Sequence, residues 1–187
     1  MPSILTHAAI PLAMYCAADR GRVSGRLLCA GIAAAILPDL DVAAFALGIP
    51  YADAFGHRGA SHSIVFALAL AVVAAVLHRP LRARRLQAAA WIFACAVSHP
   101  LLDAFTSGGL GVALQWPWTE QRFFAPWRPI LVSPFANGFF SARGMATLGS
   151  ELRWVWLPLL VAVVSWRLIN ARPDDAQATV DKRECEK

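Results

Sequence analysis

Apolar positions along the chain gather into five runs, at residues 4–18, 27–45, 62–78, 86–105 and 152–169, separated by stretches rich in Arg, Gly and Pro. A helix that crosses a bilayer needs about 17–25 predominantly apolar residues. The second and fourth runs meet that length, the third and fifth are adequate, and the first is short with a polar tip. No Lys or Arg precedes the first run, so it reads as a helix of the mature chain rather than a signal peptide. The pattern predicts an all-α, polytopic membrane bundle of about five helices, embedded over residues 1–169. From Asn170 the apolar period is lost and charge rises, so residues 170–187 read as a solvated, disordered tail.

The stretch between the fourth and fifth runs, residues 106–150, is of another kind. It carries Trp116, Trp118, Phe123, Phe124, Trp127, Phe135, Phe139 and Phe140, interrupted by Pro117, Pro126, Pro129 and Pro134. Proline at that density forbids a long helix. Aromatic rings mixed with Arg suit the headgroup level of a membrane. The stretch is expected to lie on the membrane surface, either as a lid or rim over a site or as an interfacial anchor.

Composition supports the membrane reading. Of 187 residues, 58% are hydrophobic and 16% charged, against about 25% charged in a typical soluble domain; mean hydropathy is +0.52. The net charge of +5 does not indicate nucleic acid. The basic residues are nearly all Arg in short connections, with no basic helix or stripe, which is how positive charge orients membrane helices. The first connection holds Arg20, Arg22 and Arg26, the third Arg79, Arg82, Arg84 and Arg85, and Arg167 and Arg172 follow at the end of the fifth run. With these on the cytoplasmic side, the N-terminus and the second and fourth connections face outward. Cys16, Cys29, Cys95 and Cys185 show no CxxC or CxxH spacing and form neither a disulfide framework nor a zinc knuckle.

Ionisable groups in or beside spanning helices are costly and mark function by default. Here they are His7, Asp39, Asp41, His57, His62, His99 and Asp103. The Arg-based topology, which used none of them, places all seven at one membrane face. His99 and Asp103 are four residues apart, so on a helix they share a face and can grip one ion or simply bond to each other. Asp39 and Asp41 follow Pro38. An extended backbone there would aim both carboxylates one way, and two such groups need a cation between them; alternatively, one of them caps a helix. His57 and His62 flank a turn at Gly59 and can converge. Arg58 offers a planar fork for a phosphate oxygen or faces headgroups, and Ser61 is expected to cap the third helix. His78 falls at the opposite face.

Imidazoles and carboxylates without thiolates suit Zn²⁺, with Mn²⁺ and Fe²⁺ also compatible. Seven candidates exceed one structural shell, which points to two ions, or one ion with a catalytic carboxylate, Asp39 or Asp41. Such sites lower the pKa of bound water toward about 7.

Thr6-His7, Leu37-Pro38-Asp39-Leu40-Asp41, His57-Arg58-Gly59-Ala60-Ser61-His62-Ser63 and Ser98-His99-Pro100-Leu101-Leu102-Asp103 together resemble the YdjM-like family. These are bacterial inner-membrane proteins, some LexA-regulated, described as membrane-bound metal-dependent hydrolases. The resemblance covers roughly the first 130 residues. The family is distantly similar to zinc-dependent phospholipase C and P1 nuclease, and by that analogy His7, Asp41, His57 or His62, His99 and Asp103 are ligands. No His follows His99, so the later His-rich helix of the soluble enzymes has no counterpart.

The expectation is a membrane hydrolase of the bacterial inner membrane. Its site faces away from the cytoplasm, its partner is the lipid bilayer, and its substrate is a lipid-like or isoprenoid phosphoester. Two other readings carry the same residues. A metal transporter would need ligands across the bilayer, whereas these crowd one face. A structural metal staple would need only about four ligands.

Overall fold

The computed structural model describes residues 1–134 and 138–171. The tail expected over residues 170–187 lies, from residue 172 on, outside the described residues, as does Phe135. Among the described residues there is no strand; two isolated bridges, Thr106 to Ile130 and Val112 to Phe123, are the nearest approach.

The first run folds as two short helices, α1 (Ile4–His7) and α2 (Ala9–Ala17). Ser24 opens α3 (Gly25–Ile36) by accepting the Leu27 N–H at 3.1 Å, while its own hydroxyl donates to the Leu81 carbonyl at 2.6 Å. The backbone then tightens into a 3₁₀ turn, Leu37–Val42, before the single turn α4 (Ala43–Ala46). Pro38 explains the change. It has no N–H to close an α-helical bond, but its fixed φ suits the first positions of a new turn. The extended backbone expected after Pro38 is therefore not formed. At three residues per turn, positions two apart point in different directions, and Asp39 and Asp41 diverge.

A 3₁₀ turn, Ala60–His62, leads into α5 (Ile64–Val76), which Ser63 caps by accepting the Phe66 N–H at 3.1 Å. Capping thus falls to Ser63, because Ser61 Oγ is engaged by Asp41 Oδ2 at 2.6 Å. The long α6 (Arg85–Ala104) lies at the centre, packed on α3 and α5. Leu27, Ala34, Ala35, Ala67, Ala74, Ala88, Trp91 and Cys95 form the core between them. Close approach is built in at Gly31, where a Cβ would strike the Trp91 indole and come 2.9 Å from Cys95 Sγ.

The expected 106–150 connection is shorter than the sequence indicates. Ser141 caps α7 (Ala142–Glu151), which continues through a π-helical segment, Leu152–Trp156, into α8 (Leu157–Ile169). Gly144, Thr147, Gly149 and Glu151 keep α7 too polar to register as an apolar run. Residues 106–134 remain irregular, as their prolines require.

Gly25–Ala46 and Ala142–Ile169 are long and apolar enough to cross a membrane, whereas Ile4–Ala17 and Ile64–Val76 are shorter. Arg85–Ala104 has 20 residues but carries Gln87, Ser98, His99 and Asp103. The Arg-rich connections meet at one end of the bundle. Arg26 Nη1 donates to the Pro80 carbonyl at 3.2 Å, and Arg167 donates to the Cys16 and Ala18 carbonyls that end α2. The histidines other than His78 lie at the other end.

Candidate metal centre

Four separate segments deliver ionisable side chains to one buried point: α1 brings His7, the first 3₁₀ turn Asp39, the second His62, and α6 both His99 and Asp103. Donor atoms of Asp39, His62, His99 and Asp103 all lie within 4.8 Å of one another, and all four residues are buried. His99 Nε2 stands 3.0 Å from His62 Nε2 and 3.3 Å from Asp39 Oδ1. His62 Nε2 is 3.5 Å from Asp103 Oδ2. His7 joins them from the side, its Nε2 at 3.8 Å from Asp39 Oδ2 and 3.7 Å from Asp103 Oδ1, with its ring stacked 3.7 Å from that of His99. Ligands bound at about 2.0–2.1 Å around a tetrahedral ion stand roughly 3.3 Å apart, so the spacing suits one divalent cation.

The hydrogen bonds around this core aim the nitrogens inward. His99 Nδ1 meets the Ala35 carbonyl at 2.7 Å, an acceptor, so the proton sits on Nδ1 and the Nε2 lone pair points to the centre. His62 Nδ1 faces Asp41 Oδ2 at 3.1 Å, which places a proton there as well. Such outer partners hold metal-binding imidazoles in one tautomer. With neutral rings, two Nε2 lone pairs confront each other at 3.0 Å. Both nitrogens of His7, both oxygens of Asp39 and Oδ1 of Asp103 lack a hydrogen-bond partner among the described residues, while Asp103 Oδ2 is met only by the Arg58 guanidinium, at 2.9 Å. Buried charge left in that state costs several kcal/mol per group, and a cation at the centre relieves it. Without a metal, a proton is the competing cation.

Asp41 and His57 stand one layer out. Asp41 Oδ1 meets His57 Nδ1 at 2.5 Å, and Oδ2 accepts from Ser61 Oγ at 2.6 Å and the Arg58 backbone N–H at 3.0 Å. One carboxylate thereby ties together His57, Arg58, Ser61 and His62. Tyr51 packs edge-on to His57 at 5.1 Å, and burial raises its phenol above the usual range.

Arg58 is only 1% exposed. Its Nε lies 2.9 Å from Asp103 Oδ2, Nη1 donates to the Gly108 carbonyl at 3.0 Å, and Nη2 donates to Thr106 Oγ1 at 3.1 Å. The fork that the sequence suggested for a phosphate oxygen is occupied by the protein. A left-handed φ of 64° at Arg58 turns it inward, and Gly109 makes room: a Cβ there would come within 2.8 Å of Arg58 Nη1.

The irregular connection is laced onto this loop. Arg122 donates to the carbonyls of His57, Tyr51 and Asp53 at 2.9–3.1 Å, and Ala113 N–H donates to the Arg58 carbonyl at 3.0 Å. Trp118, Trp127 and Phe140 remain exposed. Beside Asp41 and Ser61 lies a cavity of about 390 Å³, walled by Phe55, Val65, Phe66, Ala69 and Trp116.

The sequence missed Glu151. It is 1% exposed, and its carboxylate accepts from the Ser3 N–H and Ser3 Oγ at 2.5 Å and from Thr6 Oγ1 at 2.7 Å. Trp156 Nε1 adds a bond to Thr6 Oγ1 at 3.0 Å. The start of the chain, with His7, is thus tied to α7.

The family described as YdjM inner membrane protein matches residues 1–173. The inner membrane protein YbcI of Escherichia coli strain K12 is 43% identical over 171 residues, covering 89% of this chain and 99% of that protein. No solved structure matches.

Proposed function

The chain belongs to the family of YdjM inner membrane proteins, and on that premise we propose that it is a membrane-bound, metal-dependent hydrolase of lipid-type phosphoesters. The observation that carries the reading is the meeting of Asp39, His62, His99 and Asp103 at one buried point, with His7 Nε2 beside them at 3.7–3.8 Å from the two carboxylates. These five residues would hold one divalent cation, with Zn²⁺ best suited and Mn²⁺ or Fe²⁺ compatible. The ion would supply Lewis acidity and water of lowered pKa.

The remaining roles belong to the chain. Asp41 orients His57 and His62 and is the carboxylate that lines the cavity, its oxygens held by His57, Ser61, His62 and the Arg58 N–H. Arg58 holds Asp103 in position and adds fixed positive charge beside the ligands. Phe55, Val65, Phe66 and Trp116 give an apolar wall suited to a lipid chain, with the scissile headgroup at the Asp41 end. The site faces away from the cytoplasm, as the Arg distribution implies.

Full burial of Asp39, His62, His99 and Asp103 also favours a second reading, a closed structural site of four ligands. Elemental analysis and phosphate-release assays on detergent-purified wild type and His99→Ala distinguish the two. The hydrolase reading expects stoichiometric metal and turnover of a lipid phosphate in wild type, both lost in the variant while membrane insertion is kept. Turnover persisting in metal-depleted His99→Ala sinks the metal mechanism. Bound metal without turnover of any lipid phosphoester leaves the structural reading.

A further inference from the structure

At the end opposite the histidines other than His78, a cavity of about 850 Å³ opens between the end of α2, the connection from α2 to α3 and the start of α6. Exposed Arg22 and Arg84 line it together with the apolar side chains of Met14, Val23, Leu86 and Ala90. Leu86 is 80% exposed, which is unfavourable in water but ordinary against lipid. Arg20, Arg26, Arg85 and Arg167 belong to the same end. Among the described residues the acidic group there is Asp19, paired with Arg22 at 3.3 Å with both side chains largely exposed. Strong positive charge thus meets an apolar floor inside a recess between helices.

We propose that this cavity binds an anionic phospholipid, its phosphate between Arg22 and Arg84 and an acyl chain over Met14, Val23 and Ala90. Basic recesses between membrane helices select lipids of negative headgroup. A free phosphate would satisfy the arginines but leave the floor bare. A zwitterionic lipid would cover the floor but offer the arginines no net charge. An anionic lipid does both. Arginine clusters also arise simply to orient helices, so the test separates a defined recess from a diffuse field.

Native mass spectrometry of the full chain in nonionic detergent is titrated with phosphatidylglycerol and with phosphatidylcholine of the same acyl chains. The expected result is at least about tenfold preference for phosphatidylglycerol, two basic contacts acting together. Arg22→Ala/Arg84→Ala should abolish that preference, while Arg79→Ala/Arg82→Ala, which removes equal charge at the same end outside the recess, should leave it within about twofold of wild type. Ala90→Phe, which fills the floor and keeps every charge, should also lower phosphatidylglycerol binding, and it decides the matter if the double variant fails to fold. Equal binding of the two lipids, equal loss in both double variants, unchanged binding in Ala90→Phe, or displacement of the lipid by millimolar glycerol phosphate would each overturn the proposal.

Discussion

Arg58 is the residue whose position the sequence described least well. An arginine beside Gly at the edge of an apolar run reads as a headgroup contact, yet a left-handed backbone and the absence of a Cβ at Gly109 turn it into the protein beside Asp103. Removing one partner of a buried pair costs about 3–5 kcal/mol. Arg58→Ala should therefore lower the thermal midpoint in detergent on the order of 10 °C. Arg58→Lys should recover only part of this, because an ammonium cannot reach three acceptors with one planar fork. An unchanged midpoint in Arg58→Ala would show that Asp103 needs no such support. The other ionisable residues were legible because charge inside apolar runs is itself the signal. Their sorting into an inner set and an outer pair was not, since it depends on which way a 3₁₀ turn rotates Asp39 relative to Asp41.

Among the elements, the four longer helices within the first 105 residues follow the apolar runs closely, because burial and lipid contact both demand the same side chains. The α7–α8 rod does not. Its first half is polar and small, and its buried last residue, Glu151, finds its partners 148 and 145 residues away in Ser3 and Thr6. No local pattern encodes a partner at that separation. The contact makes α7 the anchor of α1, and hence of His7. Glu151→Leu should lower metal affinity although every proposed ligand is intact, while Glu151→Gln, which keeps one acceptor oxygen, should fall between. Metal titration by isothermal calorimetry in detergent reads this directly. If Glu151→Leu binds metal as tightly as wild type, α1 is held by its own packing and the carboxylate is only a local satisfier.

At the scale of the molecule, charge and chemistry occupy opposite ends. Hydrogen bonds from Ser24, Arg26 and Gln87 fasten the Arg-rich connections to each other, while the opposite end is fastened by Arg122, Asp41 and Arg58. That two-ended plan was readable from the sequence, because Arg and His each cluster in alternating connections. The lacing of residues 106–134 over the site was not, because irregular backbone leaves no periodic trace.

The distance between the two ends has its own consequence. From Gly25 to Asp39, from Arg85 to His99, and back from Val76 to His62, each interval is 14 residues, so the proposed ligands lie roughly 20 Å from the arginines. A bilayer's hydrocarbon layer is about 30 Å thick. Ligand level and far headgroups therefore coincide only where the membrane thins around the protein, and hydrophobic mismatch becomes a variable of function. Reconstituted in phosphatidylcholine of myristoyl, oleoyl or erucoyl chains, the protein should take up metal several-fold more slowly as the chains lengthen. A rate independent of chain length would put the ligands at the water boundary whatever the lipid.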